Sequence, residues 1–226
     1  MTYKVHEAFP LMVYQGEVEC HDLIKEHLDE LRDYWFNGYE NESPEYSGRI
    51  FAHQKECCKP FFKELRTHID NYFDCMIVDH SKLDYHIIKS WVGYHKDNET
   101  PSVKPHNHNA SDLSFVYYLN TDSTSDKFCV AQEKNPNECV GDLFTTAIQR
   151  NLIGGYNKYN CNVYTITPTE GTVVIFPSKI GHFTQQFADR KGERIVIPGD
   201  VRVSSNLRTQ ITTKDQRILL SGWNFE

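Results

Sequence analysis

No apolar run in this 226-residue chain approaches the ~18 residues that a membrane-spanning helix needs. The stretches that come nearest, such as Val173-Val174-Ile175-Phe176, are only a few residues long. The first residues, MTYKVHEAFPLMVYQGE, have no apolar core of the kind a secretory signal carries. Basic side chains are in the minority: 24 Lys and Arg against 31 Asp and Glu give a net charge of −7, and no basic run breaks that balance. Neither nucleic acid nor a membrane surface is therefore expected as a partner. The seven cysteines form an odd set without a Cys-x-x-Cys pair, which argues against a disulfide framework and against a cysteine zinc site. Sequons at Asn41, Asn98 and Asn109 carry no weight without a secretory signal. These absences lead us to expect a cytoplasmic protein in a reducing compartment.

Hydrophobic residues make up 39% of the chain, which is modest, but 13 Phe, 13 Tyr and 3 Trp compensate. Each buried ring removes roughly 150–250 Å² from water. One domain over 1–226, with a single core, is the simplest organisation. The first 84 residues read as a helical layer. Ile24, Leu28, Leu31 and Trp35 recur at helical spacing among charged neighbours. Gly38 to Gly48 reads as a loop, and Pro60 opens a second helix whose Phe61, Leu65, Ile69 and Tyr72 share a face. From residue 85 to 206 the texture changes to strands: Tyr85–Tyr94, Leu113–Leu119, Asn162–Ile166, Thr172–Phe176 and Arg194–Val203 are short, rich in β-branched and aromatic residues, and bounded by turn formers. Many short strands suggest a mainly β sandwich or jelly roll with the N-terminal helices packed on a sheet. Residues 121–160 read as a long polar loop that could act as a lid. Residues 207–226 read as a C-terminal extension.

Of eleven histidines, three are informative: His106 and His108 in His-Asn-His, and His182 downstream. Residues i and i+2 of a strand face the same way, so His106 and His108 can offer both imidazoles to one metal. His182 follows Gly171-Thr-Val-Val-Ile-Phe-Pro177 and a short turn, where it can supply a third nitrogen. Three nitrogens with open positions suit a divalent transition metal that does chemistry. In an unbroken strand, His106, His108, Asp112, Ser114, Val116 and Tyr118 would share one face, with Phe115 and Tyr117 packing away. Asp112 has three readings: a turn residue, a group that orients a ligand, or a fallback metal ligand. Arg194 begins a strand 12 residues after His182 and can point into the same pocket, where a guanidinium holds a carboxylate in bidentate fashion. Arg202 shares its strand parity and is the alternative. Tyr94 ends an earlier strand and can either hydrogen-bond a ligand oxygen or serve as core.

Taken together, Ser90-Trp-Val-Gly-Tyr94, Lys104-Pro-His-Asn-His108, Leu113-Ser-Phe-Val-Tyr-Tyr-Leu119, Gly171-Thr-Val-Val-Ile-Phe-Pro-Ser178 with His182, and Glu193-Arg-Ile-Val-Ile197 resemble the iron(II)/2-oxoglutarate-dependent oxygenases. Within them the sequence looks most like the prolyl-hydroxylase-like branch, including oxygenases of marine phages and bacteria. The resemblance covers about residues 85–206. It implies a double-stranded β-helix (jelly roll, cupin-like) and a metal site built from His-x-Asp/Glu and a distal His. A basic residue follows about a dozen positions later. Here that maps onto His106, His108, His182 and Arg194, with Tyr118 joining Arg194 on the distal carboxylate of 2-oxoglutarate and Tyr94 near its other end. The implied cofactors are Fe(II) and 2-oxoglutarate. The implied reaction consumes dioxygen, hydroxylates a peptidyl or small-molecule substrate, and releases succinate and CO2. A homodimer is compatible with this, as is the host cytoplasm if a phage encodes the chain.

One departure matters. His108 stands where the family has a carboxylate, which leaves the site one negative charge poorer. If Asp112 coordinates instead, one of the two nearby histidines becomes an outer residue. Two other readings remain open. Gly171, Pro177 and His182 also fit a cupin motif except for Lys179, and His106, His108 and Asp112 echo its partner motif, which would give a metal enzyme that does not use 2-oxoglutarate. The barrel could also be a non-catalytic binding module.

Overall fold

The computed structural model describes residues 4–7, 10–37, 51–96, 103–121, 126–139, 144, 153–186, 192–206 and 223–224. Strand β1 (Tyr14–Glu17) is followed by helices α1 (His21–Lys25), α2 (Leu28–Asn37) and α3 (Lys59–Asp74). Ten strands follow: β2 (Leu83–Ser90), β3 (Gly93–His95), β4 (Val103–His106), β5 (Leu113–Asn120), β6 (Asp126–Ala131), β7 (Val163–Ile166), β8 (Thr172–Pro177), β9 (Gly181–Gln186), β10 (Arg194–Ser205) and β11 (Trp223–Asn224). They form two antiparallel sheets. The large one runs β1-β8-β5-β10-β2-β11, with β3 also on β10, and the small one runs β4-β9-β6-β7. This mainly β, jelly-roll fold carries its helices on the outer face of the large sheet.

The large sheet is apolar on both faces because each face meets a different partner. On β5, Leu113, Phe115, Tyr117 and Leu119 join Ile24, Leu31, Phe61, Leu65 and Ile69 of the helices in the main core. The alternate residues face the small sheet: Tyr118, with Val174 and Phe176 of β8 and Val196 of β10, packs against Phe128 and Val130 of β6. A near-continuous hydrophobic reading of β5, β8 and β10 follows, whereas a sheet with one solvated face would alternate. Helix α3 begins with Pro60 in its first turn and buries Phe61, Leu65, Ile69 and Tyr72, as the helical spacing predicts.

Several expectations are corrected. The single helix through Ile24 and Trp35 is two helices broken at Glu26 and His27. The N-terminal segment also supplies β1, an edge strand paired with β8, and the C-terminal segment supplies β11, paired with β2. The expected strand Tyr85–Tyr94 breaks at Trp91 and Val92 into β2 and β3. The expected loop at 121–160 contains β6, which sits between β7 and β9, because Phe128 and Val130 have a facing core to fill. The loop expected at 38–48, residues 122–125, 140–143 and 145–152 of the stretch 121–160, and most of 207–226 lie outside the described residues. Among the described residues no helix is long and apolar enough to cross a membrane.

Phe61 is the keystone between helices and sheet. Its ring stacks on Tyr117 with centroids 4.3 Å apart and also meets Phe62 and Phe115. Phe61→Ala should cost about 3–5 kcal/mol of stability, read from urea unfolding. A loss below about 1 kcal/mol would mean that the helical layer does not depend on this contact.

Candidate functional site

His106, His108 and His182 converge. His106 ends β4 and His182 lies in β9, as direct partners across the antiparallel pair. His108 lies two residues beyond β4, in a turn whose backbone N–H donates to the Ser178 carbonyl at 2.8 Å. The ring centroids are 4.3 Å (His106 to His182), 5.0 Å (His106 to His108) and 5.1 Å (His108 to His182) apart. One nitrogen from each ring lies within 4.8 Å of the other two. The unbroken strand from His106 to Tyr118 is not what unites them. The chain turns at 109–110, placing His106 in the small sheet and Ser114, Val116 and Tyr118 on the inner face of the large one.

Hydrogen bonding fixes the tautomers. Nδ1 of His106 lies 2.8 Å from the Lys104 carbonyl, and Nδ1 of His182 lies 3.1 Å from that of Ile180. A carbonyl only accepts, so both Nδ1 atoms carry the proton and both Nε2 atoms keep a lone pair. His182 is buried beside Phe176 and Phe128. Burial, with the neighbouring His106 and His108, pushes its pKa down to about 4 against the opposing pull of the Ile180 carbonyl. It is a neutral donor across the physiological range.

Nδ1 of His108 faces a carboxylate instead: Oδ1 of Asp200 at 2.5 Å. The same oxygen accepts from Oγ of Ser114 at 2.6 Å, and that hydroxyl contacts Oγ of Ser178 at 2.8 Å. Oδ2 of Asp200 pairs with Nζ of Lys89 at 3.0 Å. Burial favours a protonated Asp200, but hydrogen bonds from His108 and Ser114 and the charges of His108 and Lys89 outweigh it and hold the carboxyl below the usual range. Lys89, Asp200 and Ser114 form one row across β2, β10 and β5. The register between β2 and β10 skips Ile88, and this bulge brings Lys89 opposite Asp200.

A cavity of about 120 Å³ opens from the three histidines between the sheets. Its walls include Trp91, Val116, Phe128, Phe176 and Val196, and Arg194 and His95 also line it. Arg194 is buried, at 3% exposure, and its guanidinium lies 5.7 Å from the ring centroid of Tyr118. Arg194 and Asp200 occupy the same face of β10, six residues apart.

Three sequence candidates are placed elsewhere. Tyr94 pairs with Ile195 on the helix-facing side of the sheet, where its hydroxyl donates to Glu193 at 2.8 Å; strand alternation points it away from the cavity. Its neighbour His95, which sequence reading passed over, is the cavity-lining partner of Arg194. Asp112 stands apart from the histidine trio and tethers β10, since its Oδ2 accepts the Val203 N–H at 2.9 Å. Arg202 donates to the Ala110 carbonyl beside Asp112 and does not line the cavity.

A family model described as "Putative 2OG-Fe(II) oxygenase" matches residues 89–200, a span that holds all three histidines, Arg194 and Asp200. That span, just under half of the chain, belongs to the 2-oxoglutarate/iron(II) oxygenase superfamily. The chain's fold agrees with solved structures at low identity. A prolyl-4-hydroxylase from Pseudomonas putida matches with TM-score 0.52 at 14% identity, covering 85% of this chain and 92% of that one. The non-heme monooxygenase ThoJ, in its apo form, matches with TM-score 0.54 at 10% identity, covering 88% and 75%. The 2-oxoglutarate-dependent epimerase SnoN from nogalamycin biosynthesis matches with TM-score 0.52 at 11% identity, covering 84% and 78%. No curated protein matches the sequence.

The cofactors of this oxygenase are iron(II) and 2-oxoglutarate, used with dioxygen and a substrate. The residues present fit both cofactors. Three imidazoles with free Nε2 lone pairs suit a divalent transition metal, and a buried guanidinium on the same cavity suits a carboxylate.

The seat of His182 in the oxygenase depends on Gly181. A Cβ there would lie 2.9 Å from the Ala131 carbonyl oxygen, backbone of the adjacent strand β6. Gly181→Ala should destabilise the metal-free protein by about 1–3 kcal/mol and reduce the gain in Tm on adding Ni(II). An unchanged Ni(II)-dependent gain would show that His182 does not rely on this close strand pairing.

Proposed function

We propose that this oxygenase hydroxylates a peptidyl or small-molecule substrate, with iron held by His106, His108 and His182 and the distal carboxylate of 2-oxoglutarate held by Arg194 and Tyr118. The observation that carries the proposal is one cavity with three convergent imidazoles at one end and a buried guanidinium on its wall. With both cofactors bound, the site supplies the oxidising chemistry that puts one atom of dioxygen into a substrate C–H bond and the other into succinate, with loss of CO2. The protein's part is position and environment. The Nδ1 partners of the three histidines aim their Nε2 atoms. Arg194, shielded from water, binds a carboxylate more strongly than an exposed guanidinium would, and it lies over the Tyr118 ring within cation–π range. Trp91, Phe128, Phe176, Phe183 and Val196 keep the reacting end dry, which protects an oxidising site from side reactions.

Anaerobic addition of Fe(II) and 2-oxoglutarate should produce the visible metal-to-cofactor charge-transfer band. His182→Ala should abolish it through loss of iron. Arg194→Ala should leave iron bound but weaken 2-oxoglutarate on the order of 100-fold, because a carboxylate then enters the cavity without its partner. Iron binding without a band in the unaltered protein would contradict the proposal, and so would undiminished 2-oxoglutarate affinity in Arg194→Ala.

A further inference from the structure

We infer that Asp200 returns to the metal site, through His108, the negative charge that the family places on the metal itself, which makes Asp200 a positioning residue. The inference rests on the ligand assignment proposed above. Of the three histidines, His106 and His182 have backbone carbonyls behind Nδ1; His108 alone has a carboxylate there. His108 is also the residue in the position where the family has Asp or Glu. A neutral imidazole there leaves a divalent cation facing three uncharged donors in a buried site, an arrangement that low dielectric penalises. A carboxylate hydrogen-bonded to Nδ1–H draws that proton toward itself, makes Nε2 a stronger donor and supplies a compensating charge one residue further out.

The surroundings of Asp200 are built to keep it charged and still. It is 1% exposed on the cavity-facing side of β10. Oδ1 accepts from His108 and Ser114, and Ser114 is anchored in turn by Ser178, in the turn just after β8. The facing groups from other strands are Lys89 of β2 and Ser114 of β5. Lys89 is half-exposed and its ammonium also lies 5.3 Å from the Trp91 ring, so it competes with the metal site for the same carboxylate. This competition gives the inference a sign that simple structural support would not have.

Ni(II) affinity, measured by chelator competition on the full chain, tests this. Asp200→Asn should weaken Ni(II) about 10- to 100-fold. In a His108→Asp background, where the metal regains a carboxylate of its own and the link to Asp200 is broken, the same change should cost less than about threefold or improve binding. Lys89→Met, which strips the competing cation, should tighten Ni(II) roughly two- to fivefold. Equal losses from Asp200→Asn in both backgrounds, or no loss in either, would overturn the inference, and so would unchanged or weaker binding in Lys89→Met. If Asp200→Asn does not fold, Lys89→Met decides alone. His182→Ala is the control that separates the two readings. If it binds Ni(II) as well as the unaltered chain, the three-histidine assignment falls; if it fails to bind and the Asp200 and Lys89 variants behave like the unaltered chain, only the inference falls.

Discussion

Strand alternation along β10 is the constraint on which the rest of the structure depends. Ile195, Ile197 and Val201 face the helices and complete the main core, while Arg194, Val196 and Asp200 face the space between the sheets. The strand is therefore pinned from behind by the apolar helical layer, and whatever its inner face carries is held at fixed intervals. That inner face presents a guanidinium at one end of the cavity and the carboxylate behind His108 at the other. A slip of one residue would bury Ile195 and Ile197 among polar groups and turn both charges toward the helices, so the core enforces the register of the site.

The metal end needs both sheets. His106 and His182 come from adjacent strands of the small sheet, and His108 comes from the turn that leaves it. Asp200, Ser114 and Lys89 come from the large sheet. The bond from His108 to Asp200 thus joins the two sheets at the point where a cation would sit, and Phe128 and Phe176 fill the space beside His182. Packing of the inner core and geometry of the site are one problem, since the residues that separate the sheets also set the spacing of the imidazoles.

Much of this was legible in the sequence. The β-rich texture after residue 84, the helical spacing of Phe61, Leu65, Ile69 and Tyr72, and His106, His108, His182 and Arg194 all find their places in the structure. What was hidden depends on pairing. β6 reads as polar loop because its flanks are polar, and only the facing Phe176 and Val174 make Phe128 and Val130 core. Tyr94 and His95 are neighbours in sequence, and which one enters the cavity is decided by the register of β3 on β10. Asp200 lies 92 residues from His108, so no local spacing links them, and a one-residue bulge at Ile88 turns Lys89 toward the same carboxylate. Asp112, by contrast, sits four residues past His108 and invites assignment as a ligand, yet its carboxylate is engaged by the backbone of Val203.

Such a site separates two roles that one acidic ligand usually combines: occupying a position on the metal and balancing its charge. In the assignment proposed above, the His108 imidazole would take the position, and the buried Asp200 carboxylate, hydrogen-bonded by Ser114, stands behind it. X-ray absorption fine structure of the anaerobic Fe(II) protein with 2-oxoglutarate tests this account most directly, because imidazole rings leave a multiple-scattering signature that counts them. Three rings per iron and no protein carboxylate is the predicted result; two rings with a protein carboxylate on the metal would contradict it.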